Sequence, residues 1–532
     1  MKRVAGLVAG VAMLVVGGVP VGTPVAGAEV GRRAEVGWDP GREPAWSPCP
    51  ATGKLPAAAG VECATVRVPL DYREPWGHSI KVSINRIKAK VPRDGNHLGT
   101  LLVNPGGPGS SGQTLAQYVA AALPGKLGER YDVVGFDPRG VGASQPALRC
   151  VDPGTYYRAP RPDAVPRTRS DENAMLSRAA LYANRCGNLW AWLLPHMTTE
   201  NVARDLDTIR VALGEERVSY LGYSYGTYIG AVYATLFPDR VKRLVLDSVV
   251  DPDNIWYKAN LTQNRAFERR HRAFLAWTAR HNGVYRLGGT AKQTAFAWRA
   301  MRSRLRERPV GGKVGASELD DIFTTAGYSD RVWPELAAAW SAYVRGGDTK
   351  PLLAAYGKHG EKSAESENGY AVYLAVQCRD AVWPRDWATW RADMTRLHRR
   401  APFLTWPNAW FNAPCAFWPV AGGTPVAVRG SWQLPPILLI QSRGDAATPF
   451  AGAVSMGRRF PTARLLVEAG GNHGVSLSGN RCVDRHLHTY LSEGTVPAQG
   501  ARCEGMPVPS PATHMGSGGA LGHERLTDVL AG

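Results

Sequence analysis

The chain has 532 residues, of which 63 are Lys or Arg and 45 are Asp or Glu, so its formal net charge is +18 at pH 7. This length is enough for a large hydrophobic core in one elaborated domain or two. The basic residues are scattered and no groove-reading motif occurs, so we exclude nucleic-acid binding and interpret the charge as a solvated surface, with affinity for an acidic cell wall as the alternative.

Residues 1–28 predict a secretory signal peptide. Lys2 and Arg3 supply its positive charge, an apolar segment interrupted by glycine follows, and the small residues Ala26-Gly27-Ala28 form a cleavage site. The apolar segment is too short and too rich in glycine to favour a membrane-spanning helix, and no later segment approaches ~18 uninterrupted apolar residues. We therefore expect a secreted, extracellular protein with no membrane span. Residues 29–45 are polar and irregular, and predict a pro-segment or a mobile arm.

The segment 46–250 alternates predicted strands with predicted helices. A helix is indicated at 199–214 by apolar residues on one face and a terminal glycine. Strands are predicted at 64–69, 79–87, 100–103, 131–136, 217–221 and 243–246. This alternation predicts an α/β fold with a mostly parallel sheet and helices on both faces.

Ser224 lies in Gly222-Tyr223-Ser224-Tyr225-Gly226, a match to the G-x-S-x-G motif. A predicted buried strand precedes it, and apolar residues at helical spacing follow it as far as Pro238. Such a strand-turn-helix exposes the central serine, and glycines on both sides let strand and helix approach closely. We predict that Ser224 is a catalytic nucleophile; the alternative is a glycine-rich turn whose serine caps the helix.

The pattern changes after residue 250. Residues 251–375 carry many Trp, Arg and Ala residues at helical spacing, which predicts a helical cap inserted over the active edge of the sheet. The α/β pattern resumes in 376–507, with strands predicted at 436–441 and 463–468. Residues 508–532 are rich in Gly, Ser and Ala and predict a disordered tail.

A nucleophilic serine needs a base and an orienting acid, which in α/β-hydrolases follow it along the chain in the order acid, then His. Asp445 comes just after the strand predicted at 436–441, at the sheet edge where catalytic groups gather. His473 follows the next strand, inside Gly470-Gly471-Asn472-His473-Gly474. We predict Asp445 as the acid and His473 as the base; the alternatives are an ordinary turn aspartate and a loop histidine without chemistry.

The oxyanion of an acyl-transfer intermediate needs backbone N–H donors. We predict that one comes from Tyr225, the residue after the nucleophile. The other is assigned to Gly107, in the glycine-rich loop 104–112 that follows the strand at 100–103. This loop has no lysine and no phosphate-loop pattern, so we expect no nucleotide and no other cofactor.

Eight cysteines in an exported chain predict disulfides. Nearest-neighbour pairing is preferred because it closes four short loops, but eight cysteines allow about 105 pairings. No C-x-x-C pair or His/Cys cluster occurs in the sequence. His486 and His488 are interpreted as surface residues of a helix, and we predict no metal site. The preferred pairs are 49–63, 150–186, 378–415 and 482–503.

Together these segments resemble the secreted actinobacterial tripeptidyl aminopeptidases, α/β-hydrolases related to prolyl iminopeptidases. The resemblance covers residues 46–507 and implies the α/β-hydrolase fold with a cap. Prolyl iminopeptidases carry His at the start of the oxyanion-loop motif, where this chain has Pro105, so its substrate subsite is expected to differ. The motifs that carry the resemblance are Val68-Pro69-Leu70-Asp71-Tyr72, the loop 104–112, the segments 135–144 and 222–227, Gln377-Cys378-Arg379-Asp380, and the module containing Cys482 and Cys503.

The resemblance implies a serine exopeptidase that removes short peptides, often tripeptides, from free N-termini of peptides and proteins. Such an enzyme must bind a substrate ammonium, for which Asp380 is the first candidate and Glu361, Glu365 and Glu367 are others. The alternative for each is a structural salt bridge or a solvated acidic face. A carboxylesterase with the same triad is the rival function, and a non-catalytic binding protein is a third. The sequence does not indicate an oligomeric state.

Overall fold

The structure, a computed structural model, describes residues 39–50 and 60–511. The predicted signal peptide, residues 29–38 of the predicted arm and residues 512–532 of the predicted tail lie outside the described residues. Within the described part of the chain, no helix is long and apolar enough to cross a membrane.

The centre of the fold is one mixed sheet whose strands follow the order β1-β2-β3-β5-β4-β6-β7-β8-β9-β10. The strands from β4 onwards pair in parallel, and β1, β2 and β3 form an antiparallel margin. The strand order reverses around β4, and parallel sheets bind ligands at such a point, beyond the carboxyl ends of the strands. The strands are β1 (Ser47–Pro48), β2 (Val61–Pro69), β3 (Ser79–Ile87), β4 (Thr100–Asn104), β5 (Asp132–Asp137), β6 (Val218–Tyr223), β7 (Val241–Asp247), β8 (Ile437–Ser442), β9 (Ala463–Glu468) and β10 (Arg502–Cys503).

Helices connect the parallel strands, and a long run of helices separates β7 from β8. Short 3₁₀ turns lie between several of them. The helices are α1 (Gly112–Ala122), α2 (Pro153–Tyr156), α3 (Arg169–Trp190), α4 (Thr199–Ala212), α5 (Tyr225–Leu236), α6 (Tyr257–Arg280), α7 (Asn282–Tyr285), α8 (Ala291–Glu307), α9 (Ala316–Tyr328), α10 (Trp333–Gly346), α11 (Lys350–His359), α12 (Ala364–Asp380), α13 (Trp387–His398), α14 (Thr405–Asn412), α15 (Ala451–Arg459) and α16 (Arg481–Glu493).

Both faces of the sheet are buried, because alternate strand residues point to opposite faces. In β8, Leu438 and Ile440 pack with α1 and α16 in one hydrophobic cluster. Their neighbours Ile437 and Leu439 pack with α4, α5 and α15 in another. The sequences of the parallel strands are therefore continuously apolar. The predicted α/β-hydrolase fold with helices on both faces is confirmed.

The helices between β7 and β8 have a hydrophobic core of their own. Residues of α6–α11 form this third cluster, which also includes Phe403, Leu404, Ala446 and Ala447. The predicted end of the cap at residue 375 falls inside α12, and helices continue to Phe417. From Ala371 onwards, however, α12 packs in the main cluster with the sheet. The division into core and cap stays a prediction.

The nearest-neighbour disulfide pairing is confirmed. The structure joins Cys49 to Cys63, Cys150 to Cys186, Cys378 to Cys415 and Cys482 to Cys503. The first bond ties β1 to β2, and the last ties α16 to β10 at the far edge of the sheet. Each bond therefore closes a local loop.

Candidate active site

Ser224 alone makes the turn between β6 and α5. Its φ of 54° and ψ of −126° are unfavourable for a residue with a side chain. The turn is held because the Ser224 N–H donates to the carbonyl of Asp247, 3.0 Å away at the end of the neighbouring strand. This is the strained strand-to-helix geometry that the G-x-S-x-G motif predicts.

Glycines allow the close packing around this turn. A Cβ on Gly222 would lie 2.5 Å from the carbonyl oxygen of Gly226, and a Cβ on Gly226 would lie 2.6 Å from that of Asn104. Both distances are shorter than any ordinary contact of a methyl group. Strand, turn and helix thus approach each other as closely as the backbone permits.

Asp445 and His473 form a buried pair at the ends of β8 and β9. The Nδ1 atom of His473 lies 2.8 Å from Asp445 Oδ2 and 3.1 Å from Oδ1. His473 is 1% exposed and Asp445 2%. The other ring nitrogen, Nε2, is buried without a hydrogen-bond partner among the described residues. A carboxylate that accepts from Nδ1–H leaves Nε2 as the basic atom of the ring.

The Asp445 carboxylate is fixed by the residues that follow it. Its Oδ1 accepts from the N–H groups of Ala447 at 2.9 Å and Thr448 at 3.0 Å. Its Oδ2 accepts from Thr448 Oγ1 at 2.9 Å. Donors on both oxygens fix the orientation of the carboxylate towards His473.

Asp247 connects the serine turn to the histidine loop. Its carbonyl accepts from Ser224 N–H, as above, and its carboxylate accepts from Val475 N at 3.1 Å and from Ser476 N and Oγ at 2.6 Å. Burial raises the pKa of Asp247 to about 6, although the hydrogen bonds from Ser476 and Val475 lower it. One residue therefore fixes the spacing between the two loops.

The helical region holds the histidine loop from the other side. The side chain of Asn472 accepts from Arg270 Nη2 at 2.8 Å and from Asp330 N at 2.9 Å, and it donates to Asp330 Oδ1 at 3.0 Å. The N–H of His473 donates to the carbonyl of Tyr328 at 2.8 Å, and the Tyr328 ring packs edge-on against the imidazole. The position of His473 thus depends on α6 and on the end of α9.

The two predicted oxyanion donors lie beside Ser224. Tyr225 is the first residue of α5, and N–H groups at the start of a helix have no acceptor within it. Gly107 lies in the loop after β4, where its N–H donates no hydrogen bond within the described residues. The preceding Gly106 packs against the turn, since a Cβ there would lie 2.7 Å from Tyr223 O and 2.8 Å from Tyr225 N.

Ser224, Tyr225 and Gly107 open on one cavity of about 430 Å³, roofed by the helices between β7 and β8. Thr448 and Tyr328, the two residues beside His473, also line it. Pockets of ~300–1,000 Å³ are the usual size for small-molecule and peptide-sized ligands. The predicted nucleophile and oxyanion donors therefore share a substrate-sized, covered space, with the predicted base directly behind its wall.

A family model of the α/β hydrolase fold matches residues 99–479. A tripeptidyl aminopeptidase of Streptomyces lividans is 45% identical over 474 residues, which are 88% of this chain and 87% of that protein. The chain belongs to the tripeptidyl aminopeptidase family of α/β hydrolases.

Two more distant relatives show the range of this family. The serine protease Hip1 of Mycobacterium tuberculosis is 32% identical over 477 residues, covering 86% of this chain and 90% of its own. A carboxylesterase B of the same organism is 33% identical over 519 residues, covering 92% of this chain and 96% of its own. The chain is thus a serine hydrolase whose relatives carry the names of peptidases and of an esterase.

Asp380, the tentative ammonium ligand, lies outside the cavity lining. Its carboxylate is 6% exposed and accepts from Thr199 N at 2.8 Å and Thr199 Oγ1 at 2.6 Å. Burial raises its pKa to about 6. Among the glutamates named with it, Glu361 and Glu365 are exposed and Glu367 is fully buried. The ammonium role of Asp380 stays a prediction.

Sequence reasoning missed the residues that hold the predicted acid and base. Thr448, Asp247 and Asn472 act through hydrogen bonds to other side chains or loops, and a motif search has no signal for such contacts. Thr448 and Asn472 do stand within three residues of Asp445 and His473. That proximity is the one sequence signal that could have found them.

One group of potential metal ligands occurs in the described residues, made of Cys482, His486 and Cys503. Its two cysteines are joined in a disulfide, so neither offers a thiolate. A single histidine remains, which is too few ligands for a bound metal ion. The predicted absence of a metal stays a prediction.

Proposed function

We propose that this chain is an exported serine exopeptidase that releases short peptides, most often tripeptides, from free N-termini. The observation that carries the proposal is a buried pair, Asp445 and His473, together with Asp247, which links the histidine loop to an elbow serine that opens on a cavity covered by helices. Export is supported by four disulfides and by the signal-like residues 1–28.

In the proposed reaction, Ser224 Oγ attacks the scissile carbonyl. His473 Nε2, which makes no hydrogen bond among the described residues, accepts the serine proton and later gives it to the leaving amine. Asp445 keeps the other proton on Nδ1 and stabilises the imidazolium that forms. The N–H groups of Tyr225 and Gly107 hold the oxyanion, and donors of this kind contribute about 10²–10³ in rate.

The covered cavity supports cleavage near a chain end, because a polypeptide can enter such a space by its terminus but cannot pass through it. A free N-terminus also needs an acceptor for its charge. Two carboxylates line the cavity, and Asp321 is paired with Arg161 and Lys362. Asp251 has no cationic partner within the described residues, so we propose it beside Asp380 as an acceptor to test.

A second candidate function is a carboxylesterase with the same catalytic residues. The relative named carboxylesterase B, which matches 92% of this chain, favours it. The chemistry of Ser224 and His473 would be unchanged, since esters and amides pass through the same kind of tetrahedral intermediate. The two functions differ only in what the cavity recognises.

Hydrolysis of three matched substrates separates these functions: a tripeptide chromogenic amide with a free amine, its N-acetylated form, and a short acyl ester. We expect fast cleavage of the free-amine peptide alone, and a loss of about 10⁴–10⁶ in kcat for Ser224→Ala. Asp251→Asn and Asp380→Asn should show which carboxylate discriminates against the acetylated form. Preference for the ester would favour the esterase instead, and indifference to acetylation would contradict recognition of a free N-terminus and leave a broad hydrolase.

A further inference from the structure

Three helices each turn one stripe of residues towards the cavity. In α12 the stripe is Ser366, Tyr370, Tyr373 and Gln377, at spacings of three or four residues that put them on one helical face. Helix α6 contributes Asn260, Gln263 and Phe267 with the same spacing, and Ala259 beside them; α14 contributes Pro407, Asn408 and Phe411. Gln377 belongs to a motif that the proposed reaction leaves without a role.

Four side-chain amides in these stripes line the cavity, namely Asn260, Gln263, Gln377 and Asn408, and we call them the amide belt. Gln263 Nε2 donates to the carbonyl of Ala447 at 2.9 Å, and Asn408 Nδ2 lies 3.3 Å from Gln263 Oε1. Ala447 is the residue whose N–H supports Asp445. The belt therefore extends from the acid loop across the roof of the cavity.

Two members of the belt have unused hydrogen-bonding atoms. Gln377 is 5% exposed, and its Oε1 has no partner among the described residues; the Nδ2 of Asn260 is buried and unpartnered as well. The hydroxyl of Tyr373 lies near both amides but donates its hydrogen bond to Asn412 Oδ1 at 2.9 Å. A buried polar atom without a partner is unfavourable, so a ligand that satisfies both amides would gain affinity.

We propose that the amide belt binds the main chain of the peptide on the N-terminal side of the scissile bond, with Gln377 and Asn260 as its specificity-determining residues. The inference rests on the proposed peptidase function and names how that site recognises its substrate. A side-chain amide offers a donor and an acceptor without charge, which matches the N–H and C=O groups that every peptide carries whatever its side chains.

This assignment also says how the cavity distinguishes a peptide from a simple ester. An ester oxygen cannot donate a hydrogen bond, so an ester at the belt would leave Gln377 Oε1 unpartnered. Sites built around a buried hydrogen bond discriminate strongly against a ligand that lacks it, more than apolar pockets discriminate between similar shapes. If the amide belt binds the substrate main chain, the other residues lining the cavity determine which substrate side chains are preferred.

The test compares a free-amine tripeptide chromogenic amide with depsipeptide analogues in which one non-scissile N–H is replaced by an ester oxygen. In wild type we expect one of these replacements to lower kcat/KM by about 10- to 100-fold. Gln377→Leu and Asn260→Leu should lower kcat/KM for the all-amide peptide by a similar factor, and Gln377→Leu should be insensitive to the replacement that affects wild type. Hydrolysis of a short acyl ester should be unchanged in both variants.

The control variant is Gln293→Leu, an exposed glutamine at the start of α8 that does not line this cavity. It should leave all substrates unaffected. The proposal is overturned if Gln377→Leu hydrolyses the peptide as wild type does, if it loses peptide and short-ester hydrolysis equally, or if it keeps the wild-type response to the depsipeptides. If wild type cleaves esters but no free-amine peptide, the peptidase function itself fails and the belt assignment fails with it.

Discussion

The backbone at Ser224 can hold its strained conformation only because its neighbours have no side chains in the way. Gly106 excludes a side chain for two reasons: it has a φ of 103°, and it lies against the peptide groups on both sides of the serine. Positive φ values of this size favour glycine. The loop 104–112 and the serine turn therefore pack together only because Gly106 has no Cβ.

We expect Gly106→Ala to lower kcat/KM by about 100-fold or more, because displacements of ~1 Å at a reacting group cost about that much. The new Cβ would lie 2.7 Å from Tyr223 O and 2.8 Å from Tyr225 N, so the loop or the turn must move. Steady-state kinetics on the tripeptide substrate would measure the loss, and circular dichroism would check that the fold is retained.

Gly357→Ala is the matched control, since this exposed glycine in α11 has open space around its Cβ position. It should keep full activity and gain about 0.5–1 kcal/mol in stability. Near-normal activity of Gly106→Ala would show that the two loops are not fitted to each other in this way.

At this scale, sequence reasoning depends on local order along the chain. The predictions of Ser224, Asp445 and His473 each rest on a strand followed by a turn, and the structure brings Asp445 and His473 into contact. Their catalytic roles stay predictions. Asp380 was selected because it stands near the end of the predicted cap. Its partner Thr199 is 181 residues away in sequence, so one sequence alone could not reveal that the Asp380 carboxylate already accepts hydrogen bonds from Thr199.

At the scale of elements, apolar runs predicted the strands well. The predicted strand at 463–468 matches β9. The one at 100–103 ends one residue before the end of β4, and the one at 436–441 begins and ends one residue before β8 does. Helices α1 and α3 were not predicted, because α3 has a largely polar exposed face and α1 directly follows a glycine-rich loop. Helix limits depend on which face finds a partner, and this is a tertiary property.

At the scale of elements, the structure also explains two of the motifs that carry the family resemblance. Arg139, fully buried, makes two hydrogen bonds to Asp205 in α4, at 2.6 and 2.8 Å. It also donates to the carbonyls of Pro69 and Leu70, and Tyr72 donates to Asp205 at 2.9 Å. Two motifs far apart in sequence thus meet at one buried ion pair, which links the antiparallel margin of the sheet to α4.

The third hydrophobic cluster, formed by α6–α11, packs against a titratable group whose pKa can be tested. His271 in α6 is 5% exposed and stacks on Phe403 with ring centroids 4.0 Å apart. Burial lowers its pKa from 6.5 to about 3, with a smaller contribution from Arg272. Between these two values the unfolded chain binds a proton that the folded protein does not.

The contribution of His271 to stability should therefore increase as pH rises from about 3 to about 6.5, with a slope of at most about 1.4 kcal/mol per pH unit. Asp247 and Asp380, whose pKa values burial raises to about 6, contribute in the opposite direction. His271→Phe keeps the aromatic stacking and removes the titration. Urea unfolding at several values of pH between 4 and 7 should show that the unfolding free energy of wild type, relative to that of the variant, increases with pH. Parallel curves for the two proteins would mean that folding does not lower the pKa of His271.

For the whole molecule, the four disulfides are a feature typical of proteins outside the cell. A disulfide stabilises mainly by restricting the unfolded chain, and its contribution grows slowly with the length of the loop it closes. Here the sequence separations range from 14 residues for Cys49–Cys63 to 37 for Cys378–Cys415. The longer loop encloses α13 and α14, which carries part of the cavity wall.

We expect removal of the 378–415 bond by a double Cys→Ser substitution to lower the free energy of unfolding by about 3–4 kcal/mol, and removal of the 49–63 bond by about 1 kcal/mol less. Urea unfolding of the two double variants, beside oxidised and reduced wild type, measures both values. Activity should be lost first in the 378–415 variant, because its loop carries Asn408. A larger loss from the 49–63 bond would contradict the loop-length argument and point instead to the packing of β1 on β2.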